Sequence, residues 1–250
     1  MAIVSFEIRD NIALLTLNNP SKRNMLCAEA CELIVGHVDE AENNPTVKGL
    51  IITGEGSVFC AGGQLVDIKP EQQVLERIYS GFLSVANSSL PTIAAVNGPA
   101  VGAGFNLALG CDVRIVTDKA RFEPRFFGLG LHPGGGNTWM LRQLANWDTA
   151  AGMLLFSQSV SGAEAVQRGL AWKLVDGDSL IDEAFLLTDN IRNLPKELLV
   201  RTKQTLRTAG GTNSHKEIID IATEQQMWSL NQPYSREAIL ALMEKISSRK

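Results

Sequence analysis

The sequence predicts a mainly parallel α/β fold that is followed by a helical C-terminal region. In the first half of the chain, short apolar runs alternate with stretches whose apolar residues recur at helical spacing. This order is typical of a parallel sheet with crossover helices. From about residue 137 onward the pattern is mostly helical, and one short apolar run interrupts it. Crossovers between the parallel strands are expected to be right-handed.

The N-terminal half is predicted to begin with a β-hairpin. Residues 2–8 and 12–17 alternate or run apolar on either side of Asp10 and Asn11, as the two strands of a hairpin do. The elements predicted next are, in order, a helix at 27–42, a buried strand at 47–53, a helix at 72–88, a strand at 92–96, a helix ending at Gly110 and a strand at 112–117.

The C-terminal half is predicted to be mostly helical. Its elements are helices at 137–145, 148–157 and 162–169, a strand at 172–175, a helix that Pro195 opens and Gly210 ends, and helices at about 214–231 and 234–247. We therefore divide the chain into an α/β core at 1–190 and a helical subdomain at 191–250. The subdomain carries many apolar positions, which predicts either self-association or packing on the core of the same chain.

The composition indicates a soluble, reduced, cytoplasmic protein. Apolar residues make up 45% of the chain and charged residues 20%, and the net charge of −4 gives no reason to expect nucleic acid as a partner. No apolar run reaches the roughly 18 residues that a membrane span needs, and no secretory signal is recognised. The four cysteines suggest neither a disulfide framework nor a metal site, because further ligands at suitable spacing are missing.

Two glycine-rich turns are the most informative part of the chain. Residues 59–65 and 98–106 each follow a β-type apolar run, and each is able to open a helix with bare backbone N–H groups. Two such turns side by side can point two N–H donors at one carbonyl oxygen, which is an oxyanion hole. The alternative is a pair of ordinary strand-to-helix turns of an α/β protein.

The order and context of the motifs resemble the enoyl-CoA hydratase/isomerase (crotonase) superfamily. The segments that carry the resemblance are 17–26, 59–65, 94–104, 111–112, Phe122, 128–136, 235–238 and 244–245. The resemblance implies a crotonase-like spiral of ββα units with a C-terminal all-helical trimerisation region, and homotrimers that often stack as hexamers. It also implies an acyl-CoA or acyl-carrier thioester as substrate, fatty acid metabolism as the setting, and no cofactor beyond the CoA of the substrate.

The resemblance places the two oxyanion donors on the backbone N–H groups of Gly63 and Ala103. The acids that the family uses fall on residues that are not acids. The two hydratase glutamates correspond to Asn106 and Phe126, and an Asp of some isomerases corresponds to Gly134. An amide is no general base near neutral pH, and a phenyl ring exchanges no proton. Efficient syn-hydration is therefore not expected, whereas isomerisation or decarboxylation is compatible with these residues.

Two residues are candidate substitutes for the missing acids. His132 lies in the Leu-His-Pro-Gly segment, and histidine is a natural acid or base at neutral pH. The alternative for His132 is a loop histidine that binds a backbone carbonyl. Glu123 lies three residues before Phe126, and its alternative is a surface glutamate paired with Arg121 or Arg125.

The resemblance also implies where CoA binds. Lys22 and Arg23 are candidates to contact its phosphates, and the alternative is a solvated basic turn. The remaining residues assigned to the CoA and thioester channel are Asn24, Met25, Leu26, Ala61, Gly62, Gln64 and Leu65. The sequence thus predicts a thioester-acting enzyme, with a non-catalytic acyl-CoA-binding protein as the alternative.

Overall fold

The computed structural model describes residues 2–64, 72–211 and 215–235, together with residues 237, 239, 241 and 244. The contacts divide the chain into two units, with the boundary between Leu194 and Pro195. In chain order, the first unit contains β1 (Val4–Arg9), β2 (Ile12–Leu17), α1 (Ala28–Asn43), β3 (Gly49–Gly54), α2 (Gln72–Asn87), β4 (Thr92–Val96), β5 (Pro99–Val101), α3 (Ala103–Gly110), β6 (Val113–Val116), β7 (Arg121–Glu123), α4 (Asn137–Leu144), α5 (Trp147–Leu154), β8 (Val160–Ser161), α6 (Gly162–Gln167), β9 (Lys173–Leu174) and α7 (Leu180–Leu187).

The second unit contains α8 (Lys196–Gly211) and α9 (His215–Leu230). The predicted helix at 234–247 lies in large part outside the described residues. Helix α9 carries the exposed apolar side chains of Ile219, Met227 and Leu230. The assignment of this region to trimers or hexamers stays a prediction. Within the described ranges, no helix has the length and apolar character that crossing a membrane requires.

The main sheet has the order β1-β2-β3-β4-β6-β9 among the residues described. Strands β1 and β2 form the predicted antiparallel hairpin, and its turn residues Asp10 and Asn11 both have positive φ, as a tight type I′ turn requires. Every other pairing in this sheet is parallel. The predicted mainly parallel arrangement is therefore confirmed.

The centre of the main sheet is covered on both faces. Every residue of β3 and β4 is buried. Alternate side chains of β3 enter two different clusters: Leu50 and Ile52 pack with residues of α1, α2 and α3, whereas Ile51 packs with Phe185 of α7. Two covered faces explain why the sequence of this strand is an unbroken apolar run rather than an alternating one.

A second, smaller sheet joins β5, β7 and β8. Strand β5 follows β4 and precedes α3 in the chain. Within the second glycine-rich turn, the chain therefore passes from the main sheet into the smaller sheet before α3 begins. The sequence analysis did not predict β5 or β7, because strands of three residues are too short to show a period. This sheet places the start of α3 beside the first glycine-rich turn.

Candidate functional site

The two glycine-rich turns are held side by side by their own backbones. The N–H of Cys60 donates to the carbonyl oxygen of Pro99 at 3.1 Å, and the N–H of Val101 donates to the carbonyl oxygen of Cys60 at 2.9 Å. These bonds form a parallel bridge between Cys60 and Ala100. The turns therefore lie next to each other even though they are distant in the sequence.

Glycine is required where the turns touch. A Cβ atom at Gly104 would lie 2.4 Å from the carbonyl oxygen of Cys60. A Cβ atom at Gly62, where φ is +98°, would lie 2.7 Å from the carbonyl oxygen of Val101 and 3.6 Å from the nitrogen of Ala103. Both contacts involve main-chain atoms, so neither neighbour has a side chain that can swing aside. The glycines thus allow the nitrogen of Ala103 to approach the first turn.

The N–H groups of Gly63 and Ala103 are available to a ligand. Leu26 pairs with Gly63 in a bridge in which the N–H of Leu26 donates to Gly62 and the N–H of Gln64 donates to Leu26, so the N–H of Gly63 points away. Ala103 is the first residue of α3, where a helix leaves its N–H groups without intrahelical partners. Within the part of the chain that the structure describes, neither N–H donates a hydrogen bond.

The first turn carries a bridge between Gly63 and Leu26. Residues 65–71 follow it and include Leu65, so that part of the predicted CoA channel lies outside the described residues. The predicted oxyanion pair does not depend on a helix after Gly63. The bridge to Leu26 uses the carbonyl oxygen of Gly62 and the N–H of Gln64, and it leaves the N–H of Gly63 as the backbone donor.

A cavity of about 510 Å³ opens onto both turns. The predicted residues on its wall are Ala61, Gly62, Gly63, Ala103, Asn106, Phe126, His132 and Gly134. Apolar side chains from α2 and from the segment after β7 make up much of the remaining wall, namely Leu75, Ile78, Leu129 and Leu131. The arrangement gives a mostly apolar pocket whose wall includes both Gly63 and Ala103, a lining that suits an acyl group attached to a carbonyl.

The comparison with known proteins identifies the family. A family model described as enoyl-CoA hydratase/isomerase matches residues 7–249. The chain belongs to this family. The resemblance inferred from the motifs is thereby confirmed, and acyl-CoA is the substrate class of this family member.

Individual relatives agree with this assignment. This chain is 39% identical to EchA14 of Mycobacterium tuberculosis, which is named a probable enoyl-CoA hydratase. The alignment spans 216 residues and covers 84% of each chain. The chain is 31% identical to the 1,2-epoxyphenylacetyl-CoA isomerase of Escherichia coli over 256 aligned positions, which cover 99% of this chain and 97% of the relative. Two relatives of one protein thus carry names of two different reactions.

Solved structures confirm the crotonase-like fold. An enoyl-CoA hydratase from Polaromonas sp. JS666 superposes with a TM-score of 0.89 at 29% identity, with 97% of each chain covered. An enoyl-CoA hydratase from Bacillus anthracis superposes with a TM-score of 0.92 at 23% identity, with 97% of this chain and 96% of that chain covered. The second likeness supports the fold alone.

Asn106 is buried at the cavity wall and engaged in hydrogen bonds. Its Nδ2 donates to the carbonyl oxygen of Gly134 at 3.0 Å, and its Oδ1 accepts from Nδ2 of Asn137 at 2.6 Å. Asn137 is fully buried, and its Oδ1 has no partner within the described residues. These bonds fix the amide as a brace between α3 and the glycine-rich segment at 134–136 rather than as a proton carrier.

The two candidate substitutes occupy different surroundings. His132 lies on the cavity wall and is exposed. The carboxylate of Glu123 accepts from Nε and Nη2 of Arg125, at 3.0 and 2.8 Å. This is the pairing that the sequence analysis gave as the alternative for Glu123. The catalytic role of either residue stays a prediction.

The candidate CoA cations lie beside the first turn. Lys22 and Arg23 are exposed, and the N–H of Ala61 donates to the carbonyl oxygen of Arg23 at 3.0 Å. Asn24 is buried, and its side chain binds the backbone of Asn19, Glu55 and Val58. Asn24 therefore anchors the segment that carries both cations, while Met25 is half-buried and Leu26 is buried.

Tyr79 is a residue of the cavity wall that the sequence analysis missed. It lies on α2 one residue after the buried Ile78, and its ring packs 5.5 Å from that of Phe82. The sequence did indicate that Leu75, Tyr79 and Phe82 share one face of a helix, since they follow helical spacing. The pattern alone did not show which turn of α2 faces the cavity.

The cysteines are expected to differ sharply in reactivity. Burial raises the pKa of Cys60 to about 12 and that of Cys31 to about 12, so both are thiols rather than thiolates at pH 8. Cys111 is also buried, whereas Cys27 is half-buried. We predict that iodoacetamide labels Cys27 first in the native protein, as peptide mass spectrometry would show. Rapid native labelling of Cys60 would contradict this prediction, and denatured protein is the control.

Proposed function

We propose that this protein is an enzyme that stabilises the enolate of an acyl-CoA thioester, and that it is not an efficient syn-hydratase. One observation carries the first part. The N–H groups of Gly63 and Ala103 have no partners among the described residues, and both residues line the cavity on turns that a backbone bridge joins. Such fixed donors stabilise negative charge that develops on a carbonyl oxygen.

The chemistry follows from where the charge goes. When a bond to the α-carbon breaks and leaves its electron pair behind, the pair is shared with the thioester oxygen, which becomes an enolate oxygen. Two N–H donors stabilise this anion, and the N-terminal end of α3 (Ala103–Gly110) adds a favourable dipole. Because these donors are backbone groups, their function does not depend on the side chain at residue 103.

The second part of the proposal is supported by the residues at the family's acid positions. Hydration needs a base that activates water and an acid that protonates carbon, and Asn106, Phe126 and Gly134 supply neither. Decarboxylation needs no base, because loss of CO₂ itself leaves the electron pair on the α-carbon. Isomerisation needs one proton shuttle, for which His132 and Glu123 are the candidates from the sequence.

CoA binding is proposed to use Lys22 and Arg23. Both cations are exposed, and the hydrogen bond from Ala61 to Arg23 ties them to the first oxyanion turn. A thioester carbonyl at Gly63 and the phosphates of CoA at Lys22 and Arg23 would then be bound by neighbouring segments of the chain. Such charges attract the polyanionic CoA although the protein as a whole is acidic.

A panel of thioesters tests the reaction class. Crotonyl-CoA, a 3-enoyl-CoA, methylmalonyl-CoA and glutaconyl-CoA are incubated with the protein, and mass spectrometry follows the products while calorimetry follows binding. An isomerised or decarboxylated product is the expected result. Rapid hydration of crotonyl-CoA would contradict the second part of the proposal. Tight binding without any product would favour the alternative, an acyl-CoA-binding protein.

The oxyanion assignment predicts the effect of Ala103→Pro. This change removes one N–H donor at the first position of a helix, where proline is tolerated. We expect turnover to fall by about 10²–10³-fold with little change in thermal midpoint. Trp147→Pro is the matched control, because Trp147 is also the first residue of a helix, is exposed and is not a cavity residue. Full activity of Ala103→Pro would contradict the assignment.

A further inference from the structure

The hydroxyl group of Tyr79 has no role in the fold that the structure shows. Tyr79 lies on the cavity wall, and its hydroxyl makes no hydrogen bond within the described part of the chain. The ring alone provides the packing, since it contacts Phe82. A phenol without a protein partner on the wall of a mostly apolar pocket is available to bind or protonate a ligand.

The hydroxyl occupies the space that a side chain at residue 134 would take. A Cβ atom built at Gly134 would lie 2.4 Å from Oη of Tyr79 and 3.4 Å from its Cζ. Residue 134 is where the resemblance places the Asp of some family isomerases. Here the acid is missing. The hydroxyl oxygen of Tyr79, which belongs to α2, lies where the side chain of that acid would begin.

The neighbours of this hydroxyl contact the two turns proposed as the oxyanion hole. Ile78, its neighbour on α2, contacts the first turn, because a Cβ atom at Gly63 would lie 3.5 Å from Cγ2 of Ile78. On the other side, the carbonyl oxygen of Gly134 accepts from Asn106, which lies one turn of α3 after Ala103. Because Gly63, Ala103, Tyr79 and Gly134 all line one cavity, a thioester held by the two turns would share this cavity with the hydroxyl.

We propose that Tyr79 is the catalytic acid of this site, which rests on the proposed function. In the step assigned to it, the electron pair of the enolate forms a bond between the α-carbon and the hydroxyl hydrogen of Tyr79, and the thioester carbonyl is restored. The pair of the broken O–H bond stays on the phenolate oxygen. Water that enters through the cavity mouth then gives a proton to the phenolate and becomes hydroxide. In a decarboxylation the released CO₂ takes up this hydroxide as bicarbonate, and in an isomerisation the proton removed from the substrate neutralises it.

Other polar groups of the wall fit this role less well. Asn106 carries no exchangeable acid and is held by Gly134 and Asn137. Arg125 is held in an ion pair with Glu123. His132 is the competing candidate, but it is exposed, whereas Tyr79 is half-buried among apolar side chains. A half-buried donor meets less competition from solvent for a developing anion.

Tyr79→Phe removes the hydroxyl and keeps the ring. On the thioester that the panel identifies as substrate, we expect kcat to fall by about 10²–10⁴-fold, with KM within about threefold and no change in thermal midpoint. Tyr234→Phe is the matched control, since Tyr234 is the other tyrosine of the chain and is not a cavity residue. His132→Ala is measured in parallel. Unchanged kcat in Tyr79→Phe would overturn the proposal, and a large loss in His132→Ala alone would assign the proton to the histidine.

A double-mutant cycle with Gly134→Ala tests the geometry. In the wild-type background the new methyl group clashes with Oη of Tyr79, so we expect kcat to fall roughly as far as in Tyr79→Phe. In the Tyr79→Phe background the nearest atom is the ring carbon at 3.4 Å, which is an ordinary contact. Adding Gly134→Ala to Tyr79→Phe should therefore lower kcat by less than about twofold further. Additive losses in the double variant would overturn the placement of the hydroxyl.

The outcomes separate this proposal from the proposed function. If the wild-type protein turns over a thioester and Tyr79→Phe does so equally well, only the role of Tyr79 fails. If the wild type neither transforms any thioester of the panel nor exchanges the α-hydrogens of butyryl-CoA with D₂O, the enolate function fails and the role of Tyr79 fails with it. If the wild type turns over a thioester and Tyr79→Phe abolishes this turnover while KM is retained, both the enolate function and the role of Tyr79 are supported.

Discussion

Gly104→Ala is expected to abolish most of the activity by separating the two turns. The added Cβ would lie 2.4 Å from the carbonyl oxygen of Cys60 and 2.7 Å from its Sγ. The carbonyl cannot rotate away, because it accepts the hydrogen bond from Val101 that closes the bridge. Relief therefore requires the start of α3 to move off the first turn, which displaces the N–H of Ala103.

The expected size follows from the loss of one aligned donor together with the strain of an overpacked contact. We expect turnover to fall by about 10²–10³-fold and the free energy of unfolding to fall by roughly 1–3 kcal/mol. Gly152→Ala is the control, because Gly152 lies in helix α5, has φ outside the left-handed region and would place its Cβ in open space. Wild-type turnover in Gly104→Ala would show that the donors need no such close approach.

Arg114→Met is expected to be the most destabilising single substitution in the set. The guanidinium is buried, and its nitrogens donate to main-chain carbonyl oxygens of Leu170 at 2.5 Å, Cys111 at 2.6 Å and Ala108 at 3.2 Å. Burial lowers the pKa of Arg114 from its ordinary value, yet an arginine stays protonated. Its charge lies at the C-terminal end of α3, where a helix favours a cation.

Methionine would fill much of the same space but would leave those carbonyl oxygens buried without this donor. Each unsatisfied group costs about 1–3 kcal/mol, so a total loss of roughly 3–5 kcal/mol is expected. Urea unfolding, compared with the exposed control Arg121→Met, measures the difference. A shift in midpoint no larger than that of Arg121→Met would contradict the prediction, and Arg114→Lys should fall between the two.

The order of the main strands and helices was predictable from local pattern. The hairpin around Asp10 and Asn11 follows from turn chemistry, and β3 and β4 follow from apolar runs that only a strand covered on two faces carries. Helices α1 and α2 begin and end within a few residues of their predicted bounds. In these elements the interactions that decide the structure lie close together in the sequence.

The parts that were not predictable depend on contacts between distant segments. Strands β5 and β7 have three residues each. They form because they pair with each other in the sheet, and not because their composition favours a strand. The motifs at 59–65 and 98–106 did indicate two backbone donors, and both of these residues line one cavity. The position of Tyr79 depends on where α2 lies against Gly134, and no local pattern encodes that distance.

The bridge between Cys60 and Ala100 has a consequence for how the protein is made. The two glycine-rich turns become neighbours only after the stretch between residues 60 and 100, which includes α2 and β4, has been synthesised. Contacts of such sequence separation form late, because a long loop must be closed before they contribute. A nascent chain that ends before Val101 cannot contain the pair of donors, so binding activity should emerge at a defined length during translation.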